Sequence, residues 1–471
     1  MHRLIFMDKW FLLGERRETP THVGGLCLFT IPEGEDGTEF VRQQLDILRS
    51  PQEWRHPFGD HLAMGPLGPA GPTFWEPDEN LDPYYHVRHT VLPEPRRSEE
   101  LFALAARWHQ SLLDRRRPLW ETHVIEGLPD RRVALYQKVH HAAIDGVSGV
   151  RLALEMTSPD PDERRDYSPF SRHASELAQA ARHRSEREPP TERDLAAAAD
   201  ALHQRLGTST GLLAGLRTYA RAWWRDGEQA LPTAWTPAPK TCLSAKITAR
   251  RRIVAPSCSL PRVRAVGKAL GGTINDVVLA MCGGALRRYL TAQGEVPERP
   301  LMAMTPVSLR TEERGKVGNA VGALVANLGT HLSEPGARFQ AVSASMNEGK
   351  ALLRGMSAKE IELFTLLTLT PGMLAGALGL GDHFSPYSVV ISNVRGPKER
   401  RYWNGACLDG FYPLGAIYHG YALNITLLSN ADRLDFGILA CRDTVPDAQR
   451  LGDDLRVALE DLERAAGLSP P

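Results

Sequence analysis

The stretch RVALYQKVHHAAIDG, residues 132–146, constrains the chain more than any other. Residues 132–139 alternate, with Val133, Leu135, Gln137 and Val139 on one face and Ala134, Tyr136 and Lys138 on the other. That period of two is the signature of a strand. The strand runs into two adjacent histidines, His140 and His141. Asp145 and Gly146 then open a helical pattern from Val147 to Met156. A strand that passes directly into a helix points to a mixed α/β fold, and Gly146 supplies a tight turn where a side chain would clash. Neighbouring strand residues point to opposite faces, so the two histidines cannot easily serve one site, and one of them should face a cleft. Asp145 can fold back to brace the strand end. A metal site needs three or more convergent ligands, and no third ligand is evident, so no metal is expected. Structural and catalytic histidines both remain open on this pattern alone.

The rest of the chain divides around a polar middle. Residues 1–160 read as one α/β unit, with a strand at 22–30, a helix at 38–49 capped by Thr38, loop at 60–75 and a helix at 101–113. Residues 161–240 are charged and broken by proline, a linker or exposed arm with helices from Thr191 onward. Within it Leu212, Leu213, Leu216, Ala220, Trp223 and Trp224 keep helical spacing beside the basic row Arg217, Arg221 and Arg225. This is either the solvated face of a bridging helix or an interfacial helix. Residues 241–471 form a second α/β unit, with strands expected at 246–254, 300–308, 387–392, 421–428 and 434–440. Its helices are expected at 260–270, 274–292, 335–354 and 446–465. Two halves of similar size suggest a site between them.

Composition closes off several classes. The 471 residues are 42% hydrophobic and 24% charged, with Lys+Arg and Asp+Glu both at 56. The zero net charge gives no global field for a nucleic-acid backbone, and the mean hydropathy of −0.29 excludes a polytopic membrane protein. None of the six cysteines forms a CxxC pair, which fits a reducing cytosol. The apolar run at the N-terminus stops at Asp8, too short for a signal peptide. Residues 363–381 carry no charge over about the length of a membrane span, but Pro371, glycines and threonines favour a buried or lipid-facing helix.

HHxxxDG resembles the active-site motif of the coenzyme-A-dependent acyltransferase superfamily, which includes chloramphenicol acetyltransferases and peptide-synthetase condensation domains. The ordered set narrows the resemblance. Met7-Asp8 with Phe11 and Leu12, then Pro20, His22, Val23 and Gly24, looks like the start of bacterial wax ester synthase/diacylglycerol acyltransferases. Pro118-Leu119-Trp120 with Glu121 matches that family's PLW motif, and Asn275-Asp276 its ND motif. Pro306, Ser308-Leu309-Arg310, Gly318-Asn319, Ser392-Asn393 and Gly396-Pro397 follow in family order. Ser244 and Asn430 depart from the pattern, where asparagine and an aromatic residue are usual.

The resemblance implies two chloramphenicol-acetyltransferase-like domains with mixed sheets flanked by helices, and an active site in a channel between them. It implies transfer of a long-chain acyl group from acyl-CoA to diacylglycerol or a long-chain alcohol, giving triacylglycerol or wax esters for lipid storage. His141 would be the general base and no acyl-enzyme would form. His140 would support it from behind the strand, and Asp145 would be structural, with Arg310 as its candidate partner. Asn275 would donate to the oxyanion or cap a helix at 276–292, with Asp276 beside it. Thr273, Ser392 and Asn393 would line the cleft, and Pro118, Leu119 and Trp120 would shape the pocket. Acyl-CoA would be a co-substrate, with no bound cofactor. A cytoplasmic protein would meet its insoluble substrates at the inner membrane face or on lipid inclusions. The competing expectations are an acyltransferase with a carrier-bound donor and a non-catalytic lipid-binding scaffold. Acceptor preference, chain length and oligomeric state have no motif.

Overall fold

The computed structural model describes residues 2–4, 6–51, 53–65, 73–144, 146–174, 176, 215–218, 220, 236–313, 316–354, 356–377, 381 and 384–469. The first half holds β1 (His2–Arg3), α1 (Phe6–Gly14), β2 (His22–Thr30), α2 (Gly37–Arg49), β3 (Asp60–Met64) and β4 (Thr73–Pro77). It continues with α3 (Pro83–His86), β5 (Val87–Val91), α4 (Ser98–His109), β6 (Trp120–Glu126), β7 (Arg132–His140) and α5 (Gly146–Met156). The second half opens with β8 (Arg251–Val254), β9 (Ser257–Ser259), α6 (Leu260–Ala269), α7 (Ile274–Gln293), β10 (Met302–Glu313) and β11 (Lys316–Asn327). Then come α8 (Pro335–Leu353), α9 (Ala358–Ala377), β12 (Val389–Val394), β13 (Tyr402–Trp403), β14 (Ala406–Leu414), β15 (Leu423–Asn430), β16 (Arg433–Cys441) and α10 (Ala448–Ala465).

Two mixed sheets dominate, which bears out the α/β class. The first runs β13-β14-β2-β7-β6-β5, and the second runs β11-β10-β12-β15-β16-β8 with β9 also on β16. The first sheet is completed by strands from the second half. β14 pairs antiparallel with β2, from Cys407 opposite Thr30 to Leu414 opposite Gly24. On its way β14 crosses β16 closely. The buried Asp435 carboxylate accepts the Phe411 N–H at 2.9 Å. A side chain at Gly437 would run into the Pro413 carbonyl.

Several local expectations change. The cap of α2 is Asp36, whose Oδ1 accepts from the Thr38 and Glu39 N–H groups, so Thr38 lies inside the helix. Residues 60–75 are not simply loop, because β3 and β4 pair as a hairpin there; residues 66–72, with most of the glycines and prolines that suggested a loop, lie outside the described residues. α4 ends at His109, before Leu113. Residues 157–174 pack against the first half, with Phe170 buried and Ser171 bridged to Trp54. Most of the helix expected near 212–225 lies outside the described residues; 215–218 and 220 are helical. Among the described residues no single helix is long and apolar enough to cross a membrane.

Candidate functional site

β7 delivers the two histidines. Its register puts His140 opposite His22 of β2. The neighbouring Leu119 carbonyl accepts the His140 N–H at 2.9 Å. Pro118, Leu119 and Trp120 are all buried. Trp120 donates its Nε1–H to the Phe58 carbonyl at 2.8 Å and stacks on His86 with ring centroids 4.6 Å apart. This trio frames the strand end rather than presenting polar groups. The buried His86 is lowered to about 4, chiefly by loss of solvation.

His140 is fully buried, and both ring nitrogens are engaged. Nδ1 accepts the Ala142 N–H at 3.0 Å. An accepting Nδ1 places the proton on Nε2, which stands 2.9 Å from Thr21 Oγ1. Glu15 lies behind, its Oε1 3.5 Å from the same nitrogen. Burial of Glu15 would raise its pKa. His140, the Thr21 N–H and Arg115 outweigh that and hold it at about 2. Arg115 pairs with Glu15 at 2.9 Å. Glu15, Thr21 and Arg115 carry no motif of their own and become legible only once the chain brings positions 15 and 115 together.

His141 is placed by the same loop but treated differently. Its N–H donates to the Thr21 carbonyl at 2.9 Å. Its ring stacks nearly parallel on Phe11, with centroids 4.2 Å apart at 10°, and it remains half-buried. One histidine is therefore locked inside, and the other stands at the strand end on an apolar platform.

From the second half, the N-cap of α7 is Thr273, not Asn275. Thr273 and Asp276 form a reciprocal capping box: Asp276 Oδ2 accepts from the Thr273 N–H at 2.8 Å and its hydroxyl at 2.7 Å. Asp276 is thus buried in a capping role and Thr273 is exposed. Asn275, relieved of capping, accepts at Oδ1 from Asn393 Nδ2 at 3.4 Å. Ser392, beside it on β12, is half-buried opposite Thr426. The next residue, Val394, and Leu428 belong to the same apolar cluster as Val139, Ala143, Ile144 and Val150. That cluster joins the end of β12 to the histidine turn. Asp145 lies outside the described residues, as does the side chain of Arg310, so their expected roles have no geometry here; Gly146 opens α5.

A wax ester synthase/diacylglycerol acyltransferase catalytic-domain model matches residues 4–278, and the C-terminal-domain model of the same family matches 317–463. The chain belongs to this family. It is 44% identical to a probable diacylglycerol O-acyltransferase, tgs2, of Mycobacterium tuberculosis over 98% of both chains. It is 36% identical to the O-acyltransferase WSD of Acinetobacter baylyi over 94% of this chain and 93% of that one. Among solved structures it superposes on the wax ester synthase/diacylglycerol acyltransferase of Marinobacter aquaeolei with a TM-score of 0.78, at 38% identity, covering 99% and 100% of the two chains. A condensation domain of the CDA synthetase shares the fold at 16% identity and a TM-score of 0.54, over 99% and 97% of the chains. Family membership bears out the motif reading. The two departures sit in support positions: Ser244 donates to the Pro239 carbonyl at 3.1 Å, and Asn430 donates to Asp435 at 3.2 Å, helping to seat the crossing strand.

Proposed function

We propose that this O-acyltransferase moves a long-chain acyl group from acyl-CoA to the hydroxyl of diacylglycerol or a long-chain alcohol, with His141 as the general base. The observation that carries the assignment is the contrast between the paired histidines. His140 has no ring nitrogen left for a substrate, whereas His141 stands half-buried on Phe11. An imidazole titrates near neutral pH and suits proton transfer from an alcohol.

His141 takes the hydroxyl proton as the alcohol oxygen attacks the thioester carbonyl. The C–O bond forms, and the tetrahedral oxyanion collapses with cleavage of C–S. The imidazolium then returns the proton to the departing thiolate, so ester and free thiol leave and no acyl-enzyme is needed. Asn393 donates to Asn275 Oδ1, which among the described residues leaves the Asn275 amide N–H₂ to donate to the oxyanion. Such a donor contributes about 10²–10³ in turnover.

The substrates are insoluble, and a peripheral lipid contact fits α9, where Leu363 and Leu367 are exposed one turn apart. α1, with exposed Leu13, packs beside it.

The test is an assay of the purified chain with palmitoyl-CoA, offering dioleoylglycerol and hexadecanol separately and following thiol and lipid product. His141→Ala should lower turnover about 10²–10⁴-fold with the fold retained. Full activity of that variant would remove His141 as the base. Absence of thiol release by the wild type with both acceptors would overturn the donor assignment.

A further inference from the structure

Among the described residues the exposed arginines divide between those with a carboxylate within reach, among them Arg42, Arg97, Arg116, Arg250, Arg288, Arg450, Arg456 and Arg464, and those without one. The loop after β12 carries three cations of the second kind within six residues. Arg395, Lys398 and Arg400 are exposed, and none makes an ion pair among the described residues. Glu399 is the acid within the loop, and Asp432 and Arg433 lie on the adjoining β15–β16 turn.

The loop is nevertheless fixed in place. The Gly396 N–H donates to Ser429 Oγ at 3.0 Å, and the Ala431 N–H donates to the Pro397 carbonyl at 3.0 Å. At its far end Arg401 reaches into the first half and donates to the Leu154 carbonyl at 2.7 Å and to Thr157. The cations therefore sit on a held scaffold that spans both halves. It begins two residues beyond Asn393, which touches Asn275. A fixed cluster of unneutralised cations at the edge of a reaction site suits a polyanionic substrate group.

Resting on the acyl-CoA reading above, we propose that Arg395, Lys398 and Arg400 receive the phosphates at the nucleotide end of the acyl donor. The acyl chain and thioester carry no charge, so this loop reads the donor's handle while His141 acts at its reactive end. Phosphate is shared by nucleotides and anionic lipid headgroups; the nucleotide is favoured because the loop adjoins Asn393, while the exposed Leu13, Leu363 and Leu367 lie on α1 and α9.

The experiment compares palmitoyl-CoA with palmitoyl-pantetheine, which lacks the phosphates, using wild type and a Lys398→Glu variant. An Arg395→Gln/Lys398→Gln/Arg400→Gln triple variant guards against misfolding of either one. In parallel, calorimetry measures binding of adenosine 3′,5′-bisphosphate, and sedimentation measures binding to phosphatidylglycerol vesicles. The wild-type preference for palmitoyl-CoA, read as the ratio of kcat/KM values, should fall about tenfold or more in the variants, as should bisphosphate affinity. The wild-type KM for palmitoyl-CoA should rise with salt, and the variants should lose that dependence, since exposed charges are screened beyond about 8 Å at physiological ionic strength. An unchanged preference in an active triple variant overturns the site and leaves the acyl-CoA reading standing. Bisphosphate binding lost in the variants while wild type turns over neither donor supports the site and removes that reading. Loss of vesicle binding alone assigns the loop to lipid headgroups and overturns the proposal.

Discussion

The two sheets differ in how much charge they bury. The inner face of the first holds His22, Glu121, His123, Lys138 and His140, with His109 of α4 packed on it. The second is built around α7, whose buried residues from Val277 to Leu290 are almost all apolar. Leu423, Ile425 and Leu427 of β15 and Phe436, Ile438 and Leu439 of β16 join them. Burying charge costs several kcal/mol per ion unless partners are well placed. Here Lys138 meets Glu121 at 2.5 Å and the Trp108 and Ser111 carbonyls at 2.8 and 3.0 Å. The match is incomplete: among the described residues, both ring nitrogens of His123 and Nδ1 of His22 are buried without a hydrogen-bond partner. The comparison teaches that the second half is chiefly a packed clamp, with Asp435 and Arg251 as the buried charges of its sheet, whereas the first concentrates electrostatic cost in the sheet that carries the histidine turn.

The largest effect should come from splitting the buried pair. Lys138→Met leaves the Glu121 carboxylate with the more distant Arg88 at 3.3 Å, and about 3–5 kcal/mol of stability should be lost. Adding Glu121→Gln should restore most of it, because the stranded charge is then gone. Leu427→Ala in the second sheet should cost a similar 2–5 kcal/mol, with no second polar change able to rescue it. Denaturant unfolding of the four proteins reads this directly; failure of Glu121→Gln to rescue would erase the distinction between the sheets.

Acid should also divide the halves. Burial, with Lys138 and Arg251 nearby, lowers His109 to about 3, and burial likewise drives His22 well below its usual value. The unfolded histidines take protons near pH 6.5 while the folded ones do not. Stability is therefore fully present above about pH 6.5 and is lost as pH falls toward the folded values. His109 alone accounts for about 3 kcal/mol between pH 6.5 and 4. Glu15, held at about 2, adds a loss below about pH 4.5 by the same sign, since its depressed pKa favours the folded carboxylate. His109→Asn should flatten the first slope, and Glu15→Gln the second. Unchanged slopes in denaturant midpoints against pH would show that these groups do not titrate with unfolding.

Glu15 offers a sharper functional test. It touches Thr21 and His140, not the substrate, so it is a positioning residue. Glu15→Gln keeps the shape and should lower kcat about tenfold while leaving KM within about twofold. Arg115→Ala should do less, because Arg115 is partly exposed. A pure stability role would leave kcat of the folded fraction untouched.

Much of this was legible in the sequence because it was local. The alternation of residues 132–139, the helical spacing of 274–292 and the HHxxxDG order each need only neighbours along the chain. What was hidden depends on distant pairings. β14 reads as an ordinary stretch of the second half, yet Leu408 and Phe411 pack in the first, and only Asp435 and Gly437 on another strand explain how it crosses. β11, with Gly318 and Gly322, lacks the clean alternation that marks a strand. Asn275 looked like a cap because asparagine favours that position, but Thr273 two residues earlier has Asp276 in the third helical position and wins it. The site shows the same split: His141 follows from its motif, its supports Glu15 and Thr21 do not, and Phe11 belongs to the N-terminal motif without anything local that ties it to His141.

The smallest effect should come from removing Asn393 from the Asn275–Asn393 contact, where the second half offers polar groups at its edge. The contact is long, at 3.4 Å, and Asn393 is exposed, so the hydrogen bond itself contributes about 0.5–1 kcal/mol. Stability should barely change in Asn393→Ala. Its influence would be on orientation: without Asn393 the Asn275 amide can flip and offer its oxygen to the oxyanion, so kcat should fall about two- to fivefold at constant KM. Asn275→Ala should fall further, and adding Asn393→Ala to it should cost nothing more, because the partner that Asn393 orients is already gone. Additive losses in that double-mutant cycle would mean that the two asparagines act separately, and Asn393 would then have to touch the substrate itself.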